Sequence, residues 1–165
     1  MKKQWYGMAG IFLTLLLLAG CGTVQTAAEK EKQADRIRYA VEKPHFTFEA
    51  TYAYPLGYKS IYLSPYYTVT VTPDTVQAHL PYYGRAYQAP IDPREGGYRF
   101  TSTDFTYRFS PGARKGNWVA EVWIRDQRRP VMFRFDIWEN GTVRLDVNDA
   151  DRQSISFQGN MKQEE

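Results

Sequence analysis

From Phe46 onward the chain alternates apolar and polar side chains in short runs separated by turn residues. Phe46, Phe48, Ala50 and Tyr52 interleave with Thr47, Glu49 and Thr51, and Phe133, Phe135 and Ile137 with Arg134 and Asp136. Successive side chains of a strand point to opposite faces, so a period of two gives each run one apolar and one polar side; the 3.6-residue period of a helix does not. The runs therefore read as half-buried antiparallel strands, about ten in number, near 46–52, 58–63, 66–72, 76–80, 98–101, 104–109, 117–125, 131–139, 142–148 and 153–158. Phe46, Phe48, Ala50 and Tyr52 are expected on one face of the first.

The breaks carry turn chemistry: Tyr54-Pro55-Leu56-Gly57, Pro73-Asp74, and the Pro- and Gly-rich stretch 89–97. Asn140-Gly141 is the strongest hairpin signal, since both residues tolerate the positive φ of a type I′ turn. That hairpin would put Phe133, Phe135 and Ile137 on the same face as Val143, Leu145 and Val147, leaving Arg134, Asp136, Arg144 and Asp146 to pair on the other. Closing such a meander removes its unpaired edges, whereas a sandwich needs longer crossovers than these connections offer. The expected fold is mainly β, an antiparallel meander curled into a barrel over 44–159, followed by a disordered tail over 160–165. A single helix over 27–43 should precede it: Ala27 to Ala34 are good helix formers, Ala34, Ile37 and Ala40 or Val41 share a thin apolar face, and Pro44 ends it.

The first twenty residues have a different logic. Lys2 and Lys3, an apolar stretch from about Met8 to Leu18, and Leu18-Ala19-Gly20-Cys21 are the parts of a secretion signal in order. The stretch falls well short of the ~20 residues that a helix needs to cross a bilayer. A cysteine directly after two small residues marks lipoprotein processing, in which the thiol is alkylated before the chain is cut in front of it. Residues 1–20 are thus read as the signal, Cys21 as the lipidated residue and 21–26 as the spacer. The sequence holds one cysteine, so none is left for a disulfide. The expected partner is a membrane of the cell envelope, the outer membrane in this reading, reached through more than one acyl chain on Cys21.

Losing residues 1–20 removes Lys2 and Lys3 and no acid, so the 21 basic residues become 19 against 18 acidic ones. That near balance argues against a nucleic-acid footprint. His45 and His79 stand alone, and no zinc spacing occurs. Asp146, Asn148, Asp149 and Asp151 lack the glycine and final glutamate of a calcium loop. With no nucleophile elbow, P-loop or dinucleotide fingerprint, the chain is expected to be neither an enzyme nor a holder of a metal or cofactor; a hydrolase would need a carboxylate pair that nothing marks.

Four separated segments carry a resemblance: Tyr54-Pro55-Leu56-Gly57, Leu80-Pro81-Tyr82-Tyr83-Gly84-Arg85-Ala86-Tyr87, Glu139-Asn140-Gly141 and Asp151-Arg152-Gln153-Ser154-Ile155-Ser156-Phe157. In order and spacing they resemble the DUF4251 family, lipoproteins of gut-dwelling Gram-negative anaerobes, over about Ala34 to Gly159. The resemblance implies a lipid anchor and a lipocalin-like barrel, and brings no activity, cofactor or catalytic residue. In these segments Gly57 and Gly84 are suited to backbone angles or close approaches that side chains forbid, and Arg152 to tying strand ends together. Tyr82, Tyr83, Arg85 and Tyr87 are the candidate ligand-binding residues, lining a barrel mouth that would take a small apolar, glycan or peptidic ligand. The competing reading is an assembly lipoprotein that meets another envelope protein through an exposed aromatic patch or sheet edge. Mass spectrometry of the chain from its host is expected to find Cys21 as the first residue and acylated, with Cys21→Ser left unprocessed and without lipid; a native chain starting at Met1 with a bare thiol contradicts the lipoprotein reading.

Overall fold

The structure, a computed structural model, describes residues 26–85 and 96–162. Helix α1 (Ala27–Glu42) is followed by strands β1 (Phe46–Pro55), β2 (Ile61–Tyr62), β3 (Thr68–Val71), β4 (Val76–Leu80), β5 (Tyr98–Ser102), β6 (Phe105–Pro111), β7 (Asn117–Ile124), β8 (Val131–Trp138), β9 (Thr142–Asp149) and β10 (Arg152–Met161). They form one antiparallel sheet in the order β5-β4-β3-β1-β10-β9-β8-β7-β6, with β2 also on β1. The two ends of that order, β5 and β6, are separated in the chain by Thr103 and Asp104 alone. They are two halves of one bent strand: the first pairs with β4, the second with β7. This continuity brings the sheet round into a nearly closed barrel.

The bend is held from outside. The Asp126 carboxylate accepts the backbone N–H groups of Thr103 at 3.0 Å and Asp104 at 3.4 Å, while the Arg125 N–H donates to the Asp104 carbonyl at 3.0 Å. The hydroxyl of the buried Ser102, followed by those backbone donors, holds the Asp126 carboxyl down from its usual 3.8 to about 2.

Inside, the inward-facing side chains pack into one buried cluster. Phe46 and Phe48 from β1, Phe133 and Phe135 from β8, Phe157 from β10 and Tyr98 from β5 are buried in one core cluster. The Phe135 ring meets Phe46 at 5.4 Å, Phe48 at 6.0 Å and Phe133 at 6.2 Å, each edge-on, the arrangement that the quadrupoles of aromatic rings favour. One end is plugged by α1. Its Thr26–Glu29 capping box satisfies orphan amides at the N-terminus, and Ile37 and Val41 are buried in the core. Gln33 donates to the Asn140 carbonyl at 3.1 Å, and Tyr107 of β6 donates to the Val41 carbonyl.

The shared face expected of β8 and β9 holds: Phe133 lies opposite Val147, Phe135 opposite Leu145 and Ile137 opposite Val143. Two details differ. Gly141 has φ +85° but Asn140 does not have a positive φ, and the Gly141 N–H donates to the Trp138 carbonyl at 2.8 Å. The turn is therefore not type I′; it is a longer loop ending on a left-handed glycine, the connection that follows when one more residue separates the strands. The disordered tail expected over 160–165 does not include 160–162, because Asn160 and Met161 still pair in β10 and the Lys162 N–H donates to the Thr47 carbonyl at 2.8 Å; 163–165 lie outside the described residues.

Because the folded Asp126 carboxyl titrates below its unfolded value, its contribution is full above about pH 4 and is lost as the pH falls toward 2. Asp126→Asn is expected to lower the urea midpoint modestly at pH 7, the group being solvent-exposed, with the gap to the parent chain closing between pH 4 and 2. A gap independent of pH contradicts a role for the charge at this bend.

Candidate functional site

Tyr82, Tyr83 and Arg85 follow β4 at the barrel end opposite α1; Tyr87 and Cys21 lie outside the described residues. Tyr82 is drawn into the wall. Its hydroxyl lies 2.8 Å from the Arg85 carbonyl and 2.9 Å from the Gln153 carbonyl, to which it donates, and the Gln153 N–H donates to the Arg85 carbonyl at 3.0 Å. A Cβ on Gly84 would sit 2.4 Å from that hydroxyl, so the turn needs a residue without one. Two of the segments that carried the resemblance, at Leu80 and at Asp151, thus meet and clasp each other.

Arg152 seals the clasp from inside. Its guanidinium lies 5.1 Å from the Tyr82 ring and 5.3 Å from the Tyr98 ring, within cation–π range, and 3.6 Å from Asp149. Burial raises the Asp149 carboxyl, while Arg152 and then Arg129 pull it back. Asp151 pairs with Arg129. The Tyr98 hydroxyl is buried with no hydrogen-bond partner among the described residues, and burial, reinforced by Asp149, pushes its pKa well above the usual tyrosine value. Of the candidate residues, Tyr83 and Arg85 face outward; Tyr83 is raised by partial burial and by its neighbour Tyr67. Tyr98 and Arg129 were not flagged from sequence, and Asp149 was weighed there only as part of a calcium loop, because only the tertiary fold brings them to Arg152.

A second surface lies on the outside of the barrel, at residues that the sequence did not single out. The register of β1 against β10 shifts between Ala50 and Tyr52. This bulge inserts one residue and reverses the facing of everything after it. Phe46, Phe48 and Ala50 point inward as expected, but beyond the bulge Ala53 and Pro55 are buried and Tyr52 and Tyr54 turn out. The expectation that Tyr52 shares the face of Phe46 and Phe48 is corrected accordingly. Tyr52 and Tyr54 thus join other exposed side chains of this part of the chain, Leu56, Tyr58, Tyr62 and Tyr66, with Tyr62 and Tyr66 at 70% and 76% exposure. The Tyr52 ring lies 5.3 Å from that of Tyr62 and 6.4 Å from that of Tyr54.

Next to these rings a groove of about 670 Å³ runs over the outer faces of β10, β9 and β8, lined by Tyr54, Trp138, Asn140, Arg144, Ser156 and Gln158 among others. Tyr54 donates to Gln158 Oε1 at 2.9 Å, and Arg144 reaches Asp146 at 3.0 Å and Ser156 at 3.3 Å. Further round, Arg134 pairs with Glu121 at 3.1 Å and with Asp136 at 3.7 Å. The pairs expected across β8 and β9 among Arg134, Asp136, Arg144 and Asp146 do not form among the described residues: each arginine instead meets the carboxylate two residues along its own strand, and Arg134 reaches across to Glu121 of β7. Among the described residues, no group of three or more His, Cys, Asp or Glu is placed to hold a metal ion.

The model of the family described as a domain of unknown function, DUF4251, matches residues 28–161. A crystal structure of a DUF4251 family protein from Bacteroides eggerthii DSM 20697 is similar with a TM-score of 0.59, covering 79% of this chain and 87% of that one at 13% identity, a likeness of fold alone. No curated protein matches the chain.

The clasp makes a quantitative prediction. The Arg152 and Asp149 side chains are 20% and 9% exposed, so Arg152→Met takes the larger of two balancing charges from a nearly buried carboxylate and is expected to cost about 3 kcal/mol in urea denaturation. Adding Asp149→Asn should restore most of the loss. Equal losses in the single and double variants would show that the two residues do not act as a pair.

Proposed function

We propose that this chain, which belongs to the DUF4251 family, is a lipid-anchored recognition module of the cell envelope that binds through the outside of its barrel. The observation that carries the reading is the cluster of exposed rings of Tyr52, Tyr54 and Tyr62, with Tyr58 and Tyr66 exposed on the same stretch of chain, beside a ligand-sized groove. Monomeric proteins rarely leave contiguous aromatic surface in water unless something covers it. Tyrosine suits recognition because it offers large contact area and a polar tip at small entropic cost. The interior offers less, because Phe48, Phe133, Phe135 and Phe157 occupy the space that a lipocalin-like barrel would give to a ligand.

The anchor gives this surface a direction. Cys21 precedes α1 by Gly22 to Thr26, a stretch that spans at most about 18 Å. The end plugged by α1 would then lie toward the membrane. Leu56 and Tyr58, at the β1–β2 turn, stand at the opposite end and would face away from it. Exposed tyrosines there are placed to meet another component of the envelope.

Hydroxyl-radical footprinting tests the reading without knowledge of the occupant. Tyr54 and Tyr62 are expected to react less in intact envelopes than in the isolated chain, whereas Tyr39, exposed on α1, changes little. Equal reactivity of Tyr54 and Tyr62 in both settings contradicts it.

A further inference from the structure

The chemistry of the groove is narrower than its position alone implies, and it selects an occupant. Strand pairing sets Tyr62, Tyr52, Gln158 and Arg144 in a row across β2, β1, β10 and β9. The row spans three strand spacings, roughly 14 Å. It starts on exposed rings and ends on a guanidinium, with a planar amide between. Trp138 and Tyr54 stand on either side of the groove, and Asn140 and Ser156 supply neutral polar groups.

Every charge at the groove is already answered. Arg144 is held by Asp146 and Ser156, and next to this pair Arg134 is held by Glu121 and Asp136. An anionic or cationic chain would have to break these pairs to gain its own. A purely apolar ligand would strip water from Asn140, Arg144, Ser156 and Gln158 without replacing their hydrogen bonds, which is costly. An extended peptide gains most of its affinity by adding to a free strand edge, yet β10, β9 and β8 are each paired on both sides. What fits is a neutral molecule with apolar C–H faces for the rings and several hydroxyls for amide, hydroxyl and guanidinium groups. Because Tyr54 holds Gln158 through its carbonyl oxygen, the amide NH₂ remains as the donor side.

We infer that the groove of Tyr54, Trp138, Arg144 and Gln158, extended by Tyr52 and Tyr62, binds a neutral glycan chain. The inference rests on the reading of the outer face as the recognition surface and names its occupant.

The full chain, in a detergent without sugar headgroups, is titrated calorimetrically with neutral hexasaccharides (cellohexaose, maltohexaose, mannohexaose and xylohexaose). Anionic hexagalacturonate and cationic hexaglucosamine serve as charged counterparts. At least one neutral hexasaccharide is expected to bind more tightly than either charged one. Tyr54→Ala and Trp138→Ala should each weaken it about tenfold or more, as for loss of an aromatic anchor, and Tyr39→Ala should not. Tyr54→Phe keeps the ring and is expected to retain most of the affinity, which separates a lost anchor from a damaged fold. Absence of binding by all four neutral sugars, tighter binding of a charged one, or binding indifferent to Tyr54→Ala and Trp138→Ala overturns the inference. If the sugars fail while Tyr54 and Tyr62 remain protected in envelopes, the recognition surface stands and its occupant is a protein. If protection is absent as well, both readings fall.

Discussion

Phe135 is the residue on which the walls of the barrel converge. Its ring is met edge-on by Phe46 and Phe48 from β1 and by Phe133 from its own strand, and Phe133 in turn meets Tyr98 and Phe100 from β5. Burying these rings provides the main driving force for closing the sheet, since hydrophobic stabilisation follows the apolar area removed from water. The same packing determines where function can reside. Interiors packed to the density of organic crystals leave little room for a guest, and the proposed function accordingly lies on the outside of the barrel.

Each end is closed by different means. At one, α1 lays Ile37 and Val41 into the core and ties itself to the β8–β9 loop through Gln33. At the other, Arg152 sits over Tyr82 and Tyr98 while Tyr82 links the backbone after β4 to the start of β10. A guanidinium suits that place because its flat face stacks on aromatic rings while its edge still reaches Asp149. The bulge in β1 completes the design: by reversing the facing of residues 52–55 it supplies Ala53 and Pro55 to the core and Tyr52 and Tyr54 to the surface.

Much of this architecture was legible in the sequence, and the exceptions have physical causes. The alternation at 131–138 and 142–149 marked β8, β9 and the face that each side chain takes, because the local period suffices for both, while the register depends on the length of the loop between them. The helix was legible from its good formers and from Pro44. The bulge was not, since it depends on how β1 sits against β10 about a hundred residues away, and Tyr52 continued the apolar alternation that preceded it. The left-handed glycine at 141 was visible but the turn type was not, because Asn-Gly suits more than one loop length. Of the candidate site, Tyr82 and Arg152 stood out as parts of two separated segments, but that they touch each other is a property of the closed barrel. The outer groove was invisible for the same reason, as Tyr54, Trp138 and Gln158 come from three strands.

A solid interior is the premise from which the placement of function on the outer face follows, and xenon tests it most directly, because the gas enters dry apolar cavities and is seen in diffraction. Crystals of the chain pressurised with xenon are expected to show no site along the barrel axis between Phe48, Phe133, Phe135 and Phe157. Well-occupied xenon among those rings would reveal a hollow barrel and return the search for a ligand to its interior.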